Sequence, residues 1–198
     1  MRSAKALLIL APLLKKPYFT SKEAQDLGIS SAVLSYYVKT GHLNRVRRGA
    51  YRSIDYQNPL AFQWEDLIEA LYSVKGGVVC LISALAIYDL TEEIPRQHWI
   101  AISHKTSVKS NKELKIIRYR DMQLGKTQVK LEGAIIPIFD RERTIIDAFR
   151  LLSLETAIKA LKAAVIIGGK NRIDLIKVQD YAKKLRFNIA PYLMSITT

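Results

Sequence analysis

Four arginines lie close together near the start of the chain and could bind phosphate. Arg45, Arg47 and Arg48 fall within four positions beside Gly49, and Arg52 follows shortly afterwards. A guanidinium is a planar fork of hydrogen-bond donors that matches the oxygens of a phosphate, and at the tip of a hairpin it can also enter a minor groove. We therefore predict that this stretch contacts the backbone of a nucleic acid.

The segment before these arginines predicts a helix with one apolar side and one small or polar side. The apolar side chains at helical spacing are Leu34, Tyr37 and Val38. The small or polar ones on the other side are Ala32, Ser35, Tyr36 and Lys39. Such a face can approach base edges in the major groove because no bulky charge holds the backbone away. We predict base or sugar contacts from Ser31, Ser35 and Tyr36, and a phosphate contact from Lys39.

Capping residues, a proline and glycines predict the helices that position this face. Pro12 bends or ends the first helix, and the capping box TSKE begins the second at Thr20. Gly28 suits the left-handed residue that ends the second helix, Ser30 caps the third, and Gly41 closes it. We expect these three helices over residues 3–14, 21–27 and 31–40, the last two forming a helix-turn-helix.

After the third helix the pattern changes to that of a β-hairpin. The segments HLNRV and AYRSI are typical of short strands, and the intervening RRG allows a tight turn at its glycine. A helix-turn-helix followed by a basic hairpin is a winged helix-turn-helix. We place this domain at residues 1–56.

The remaining residues, 57–198, mix strand and helix patterns, so the overall fold class is α+β. Strands are predicted in GVVCLI, HWIAIS, LKIIRY and GAIIPIF. Helices are predicted in QNPLAFQWEDLIEAL, with Asn58 as cap and Pro59 first, in SALAIYDL, and in DRERTIIDAFRLL, which Asp140 caps. SLETAIKALKAAVI and IDLIKVQDYAKKL add two more helices, separated by a break at Gly168, Gly169 and Asn171. We expect a winged helix-turn-helix followed by a larger mixed α/β domain with a helical C-terminal layer.

The charge of the chain favours partners that are dense in negative charge. Its formal net charge is +13, and residues 1–56 alone carry ten Lys and Arg against three Asp and Glu, a net +7. The other 142 residues therefore carry only +6. Positive charge is concentrated where the predicted shape fits double-stranded DNA.

Residues typical of catalytic or metal sites are scattered along the chain. Cys80 is the single cysteine, and His42, His98 and His104 lack the paired spacing of metal ligands. IIGGKN fails as a phosphate loop at two positions. The acids Asp140 and Glu142 suggest a nuclease, but a helix cap and a first-turn position explain them as well. We predict no catalytic residue, metal or cofactor.

The first helix is apolar, yet its pattern differs from that of a signal peptide or membrane span. Its run is short, contains Pro12 and is followed by two lysines. No other stretch approaches the roughly 20 apolar residues of a spanning helix. We expect a cytoplasmic protein that does not bind membranes.

Three segments together resemble the AbiEi-type antitoxins, a family of transcriptional regulators of viral defence systems. They are FTSKEAQDLGIS with LSYYVKTGHLNRVRRGAY, then ISALAIYDLTEEIP, then FDRERTIIDAFR. The resemblance implies a protein that represses its own operon through the winged helix, with Lys39, Arg45, Arg47 and Arg48 on DNA. It also implies that the C-terminal domain counters a nucleotidyltransferase-like toxin without catalysis of its own.

Two other functions stay open from the sequence. The chain could be a stand-alone regulator whose C-terminal domain binds a small ligand or forms a homodimer. It could also be a DNA-targeted enzyme, such as a nuclease, whose C-terminal domain cuts or modifies nucleic acid, which requires carboxylates that converge with a lysine on one strand edge. A neighbouring gene for a nucleotidyltransferase-like protein would favour the antitoxin.

Overall fold

A computed structural model describes residues 2–56, 64–108, 112–131 and 134–197. The chain forms two compact units, Met1–Lys75 with Lys130–Ile136 and Gly76–Val129 with Pro137–Thr198. The fold is of the predicted α+β class. The boundary that we place after residue 56 adjoins the undescribed residues 57–63 and stays a prediction.

The first unit begins with the three predicted helices: α1 (Arg2–Leu14), α2 (Ser21–Asp26) and α3 (Ser31–Lys39). The Thr20 side chain accepts a hydrogen bond from the Glu23 amide at the start of α2, and the Glu23 carboxylate accepts one from the Thr20 amide. Gly28 and Gly41 adopt φ of +79° and +76°, as their predicted positions at helix ends require. Local sequence signals therefore fix both ends of the helix-turn-helix.

A three-stranded sheet in the order β1-β3-β2 completes the winged helix: β1 (Phe19–Thr20), β2 (Leu43–Arg47) and β3 (Ala50–Ser53). Its core includes Leu10, Phe19, Leu34, Tyr37 and Leu43, each at most 1% exposed. Burying a side chain of this size stabilises a fold by about 1.5–3 kcal/mol. The core thus holds α3 against the sheet.

The helix α4 (Glu65–Ser73) follows in the same unit and packs against β2. Its apolar side chains Leu67, Ile68 and Leu71 are buried. The predicted cap Asn58 and first-turn Pro59 lie outside the described residues.

The second unit contains most of a five-stranded sheet in the order β6-β5-β4-β8-β7, of which the end of β7 and the start of β8 are grouped with the first unit. The strands are β4 (Val78–Val79), β5 (His98–Ser103), β6 (Leu114–Tyr119), β7 (Lys126–Leu131) and β8 (Ala134–Phe139). Strand β5 runs antiparallel to β4 and parallel to β6, and β4 runs parallel to β8. β5, β6 and β8 confirm the predicted strands, whereas the polar strand β7 was missed.

Helices surround one central helix in the second unit. They are α5 (Leu81–Ile87), α6 (Arg141–Leu151), α7 (Leu154–Ile166), α8 (Leu175–Lys184) and α9 (Ala190–Thr197), with a 3-10 turn at Gly169–Asn171. α6 packs against α5, α7 and α8, which is why residues 142–148 are buried even though its sequence is strongly polar. The Asp140 carboxylate caps α6 by accepting from the Arg143 amide, as predicted.

The structure corrects the prediction of a strand over GVVCLI. Only Val78 and Val79 form a strand, and α5 begins at Leu81 after a sharp turn in which Leu81 has φ +48°. Residues 78–85 are all buried, and a short buried strand and a buried helix share the same continuous apolar pattern. α9 was also not predicted.

Candidate nucleic-acid interface

The outward face of α3 carries the side chains that we predict to contact bases. Ser30 caps the helix by accepting from the Val33 amide at 3.5 Å, which leaves the first turn exposed to a partner. Leu34 and Tyr37 are fully buried. The exposed residues are Ser31, Ala32, Ser35, Tyr36 and Lys39. This division between faces is the one that helical spacing predicts.

Tyr36 is both anchored and accessible. Its ring packs edge-on against Tyr37 at 5.6 Å between centroids, yet its side chain remains 51% exposed. The backbone carbonyl of Tyr36 accepts from both the amide and the hydroxyl of Thr40 at the end of the helix. Its phenol can therefore donate to or stack on a partner without loss of helix structure.

The wing is a hairpin tied to the start of α2. Gly49 adopts φ +81° in its turn, and its carbonyl accepts from the Ser21 amide at 2.9 Å. Arg45 and Arg48 are exposed, whereas the Arg47 side chain lies outside the described part of the structure. The tie holds the basic turn beside the helix-turn-helix.

Strand register places Arg45 and Arg52 on opposite faces of the wing. Arg45 lies across from Tyr51, and Asn44 lies across from Arg52. Directly opposed residues share a face of an antiparallel pair, and neighbouring residues along a strand alternate between faces. Tyr51 and Leu43 belong to the core that α3 covers, so Arg45 is on the α3 side. Arg52 is on the other side.

Arg52 is committed to contacts within the protein. Its guanidinium pairs with Glu65 of α4 at 2.5 Å and lies 3.7 Å from Glu69. It also donates to the Tyr18 hydroxyl at 3.3 Å, and the Arg52 side chain is only 25% exposed. The DNA contact that we predict for Arg52 is untested, but these partners favour a role in joining the wing to α4.

Two acids at the start of α6 converge with a lysine of α8 in the second unit, whereas the nuclease hypothesis requires such a group on one strand edge. Lys177 Nζ lies 2.9 Å from an Asp140 oxygen and 3.1 Å from a Glu142 oxygen. Asp140 also accepts from the Tyr181 hydroxyl at 3.0 Å, and Glu142 from the Asp174 amide at 3.1 Å. Both carboxylates thus have partners within the protein, although the cluster lines a cavity of about 470 Å³.

The charge state of Lys177 follows from these neighbours. Burial lowers the pKa of Lys177, but the hydrogen bonds and negative charges of Asp140 and Glu142 outweigh it and raise the pKa above the ordinary lysine value. Lys177 is thus a cation that neutralises the two acids. Because it is already protonated at neutral pH, it cannot accept a proton as a general base would. Within the described residues, no three His, Cys, Asp or Glu side chains are grouped as metal ligands would be.

A buried ion pair in α6 was missed at the sequence level. Arg143 and Asp147 are each 1% exposed, and Arg143 Nε donates to an Asp147 oxygen at 2.7 Å. The guanidinium also donates to the Leu124 carbonyl at 3.0 Å. A Cβ on Gly125 would lie 2.6 Å from the Cβ of Arg143, so this loop requires glycine. The sequence signal for this ion pair was the i, i+4 spacing of Arg143 and Asp147, with apolar residues between them.

None of the helices in the described part of the chain is long and apolar enough to span a bilayer. A search of curated proteins finds no match to the chain. Residues 8–54, however, match the family model for "Transcriptional regulator, AbiEi antitoxin". This match extends from α1 through β3 and includes every candidate DNA contact. It confirms the resemblance over this segment: residues 8–54 are similar to transcriptional regulators of the AbiEi antitoxin family.

Proposed function

We propose that this protein is a DNA-binding repressor of its own operon and an antitoxin to a nucleotidyltransferase-like toxin. The observation that carries the DNA-binding part is the exposed face of α3 beside a basic wing, both inside the segment that matches the regulator family. In this proposal α3 enters the major groove. Ser31, Ser35 and Tyr36 contact bases or sugars, and Lys39 contacts phosphate.

The wing supplies the remaining contacts to the DNA backbone. Arg45 reaches phosphate from the face that α3 covers, Arg47 from the end of β2 and Arg48 from the turn. Arg52 contributes indirectly, because its guanidinium pairs with Glu65 and donates a hydrogen bond to the Tyr18 hydroxyl. Regulation of the promoter places the protein with the chromosome in the cytoplasm.

Binding to the protein's own promoter tests the DNA-binding part. Replacing both Arg45 and Arg48 with alanine should weaken binding to all sequences and flatten its salt dependence by about one slope unit per lost phosphate contact. Lys105 and Lys126, exposed cations of the second unit, provide a matched double-alanine control that should bind as the wild type does. Equal affinity and salt slope in the folded wing variant would remove the wing from the interface.

The antitoxin part rests on the family match and is tested separately. The full chain should relieve growth arrest when it is co-expressed with the neighbouring toxin, and the Arg45→Ala/Arg48→Ala variant should still do so after repression is lost. Failure of both proteins to relieve the arrest, with repression intact in the wild type, would favour the stand-alone regulator that binds a ligand or dimerises.

The contacts of Asp140 and Glu142 support a protein without catalysis of its own. Both carboxylates are already bound by Lys177, and a nuclease that uses Mg²⁺ needs carboxylate oxygens open to the ion. Incubation of the purified protein with DNA or RNA and Mg²⁺ should leave the nucleic acid intact. Cleavage that Asp140→Asn abolishes would revive the nuclease hypothesis.

A further inference from the structure

A groove in the second unit is lined by apolar residues, here called its floor, and by cations, here called its rim. It encloses about 540 Å³, and its lining includes the apolar side chains Ile117, Leu151 and Leu185. Leu151 is 47% exposed, a large fraction for an apolar side chain of this size. The floor therefore offers apolar area to a partner.

The rim draws cations from three separate elements. They are Arg118 of β6 with Arg120 just after it, Arg150 of α6, Lys184 of α8, and Arg186 beyond its end. Arg150 pairs with the buried Asp147 at 3.0 Å. Among the described residues the other four make no ion pair within 4 Å, and Asp121 is the one acid among the described lining residues. Positive charge is in excess.

Helix dipoles explain only part of this rim. Arg150 and Lys184 lie in the last turns of their helices, where cations are stabilised by the C-terminal partial charge. Arg118 lies in β6 and Arg120 directly follows that strand, so a helix dipole does not explain either of them. Arg186 has φ +55° at a position after a helix where glycine is the usual residue. The chain keeps an arginine there despite the strain.

A second surface of the same unit has the complementary composition. Residues 91–95 form no regular secondary structure, and Ile94 is 91% exposed next to the exposed Glu92 and Glu93. Glu93 accepts from the Thr156 hydroxyl of α7 at 3.0 Å, which holds the segment in place. This acidic segment, Thr91–Pro95, thus presents one apolar side chain directly after two carboxylates.

We propose that the acidic segment of one copy of this protein docks in the basic groove of a second copy. Ile94 would cover the apolar floor, and Glu92 and Glu93 would meet the rim arginines. Charge complementarity selects this occupant, since the groove is cationic and the segment anionic and each has apolar surface to bury. The two surfaces share no lining residue, so a copy can use both at once. The proposal does not depend on DNA binding.

Charge reversal at each surface gives a stringent test by sedimentation of the full chain without DNA. The segment variant is Glu92→Lys/Glu93→Lys, and the groove variant is Arg118→Glu/Arg120→Glu. The wild type should show a mass that rises with concentration, and each variant alone should stay monomeric. An equimolar mixture should form a 1:1 heterodimer, because the groove of the segment variant and the segment of the groove variant are both intact.

Salt and a control variant complete the test. Raising the salt from about 50 mM to about 0.5 M should shift the wild type toward monomer, because the Debye length shortens. Lys105→Glu/Lys126→Glu changes the charge equally outside the groove and should associate as the wild type does. A wild type that stays monomeric at low salt would overturn the proposal. So would a mixture of folded variants that forms no heterodimer, or a segment variant that still associates.

Discussion

Arg45 and Arg52 lie on opposite faces of the wing, so replacing each of them with alanine should affect different properties of the protein. Arg45→Ala removes a cation from the face of the wing that α3 covers, with no described ion pair lost. Arg52→Ala removes the pairing with Glu65 and the hydrogen bond to Tyr18. We expect the first change to act on DNA binding and the second on stability.

The size of each effect follows from the contacts. One lost phosphate contact reduces the slope of log K against log salt by about 0.9, so the ratio of wild-type to Arg45→Ala affinity should fall about 3.5-fold when salt rises fourfold. Arg52 is partly buried, and loss of its charged hydrogen bonds should lower the free energy of unfolding by about 1–2 kcal/mol.

Fluorescence anisotropy with promoter DNA at several salt concentrations, together with urea unfolding, measures both quantities on the same samples. Arg52→Ala should keep the wild-type salt slope at temperatures where it is folded. If Arg52→Ala flattens the salt slope as Arg45→Ala does, both arginines contact phosphate and the assignment of faces is wrong.

Three further predictions concern other parts of the chain. Substitution of Ser35 or Tyr36 should shift preference between operators by about 1–3 kcal/mol per base contact, with less effect on random DNA, in competition assays. Burial raises the pKa of Glu23, but hydrogen bonds from Lys16 and Thr20 outweigh burial and hold that pKa below its ordinary 4.5. The stability that this carboxylate contributes is therefore present above pH 4.5 and is lost as the pH falls through the folded-state pKa. Glu23→Gln should therefore destabilise by at most about 1 kcal/mol at neutral pH and by almost nothing near about pH 3, measured by urea unfolding. Asp147→Ala should cost about 3–5 kcal/mol in the same measurement, because it leaves a buried guanidinium without its partner.

The elements of the winged helix could be predicted because their signals are local. A capping box, a serine cap and two glycines each act within four residues of the helix end that they define, and the structure places all of them as expected. The burial of Tyr37 and the exposure of Tyr36 follow equally from helical spacing. The candidate DNA face needed no information from elsewhere in the chain.

Elements of the second unit were harder to predict where packing overrides local pattern. The apolar run at residues 77–82 contains both a strand and the start of α5, and only the turn at Leu81 separates them. Strand β7 is polar and mostly exposed, so it lacks the alternation that marks a half-buried strand. Likewise, the cap role of Asp140 could be predicted, whereas its partner Lys177 is 37 residues away and is brought close only by the packing of α6 and α8.

The case of Arg52 shows why a charge count cannot assign a nucleic-acid contact. By composition Arg52 is one of four similar arginines, and its spacing from Gly49 gives no reason to exclude it. The face of the hairpin that its side chain occupies is determined by one residue of register. Its partner Glu65 is a carboxylate that lies 13 positions later in sequence and whose pairing with Arg52 depends on α4 packing against the wing. A basic cluster in the sequence therefore predicts which surface binds DNA. The strand register and the acidic residues nearby predict which arginines of the cluster remain available to DNA.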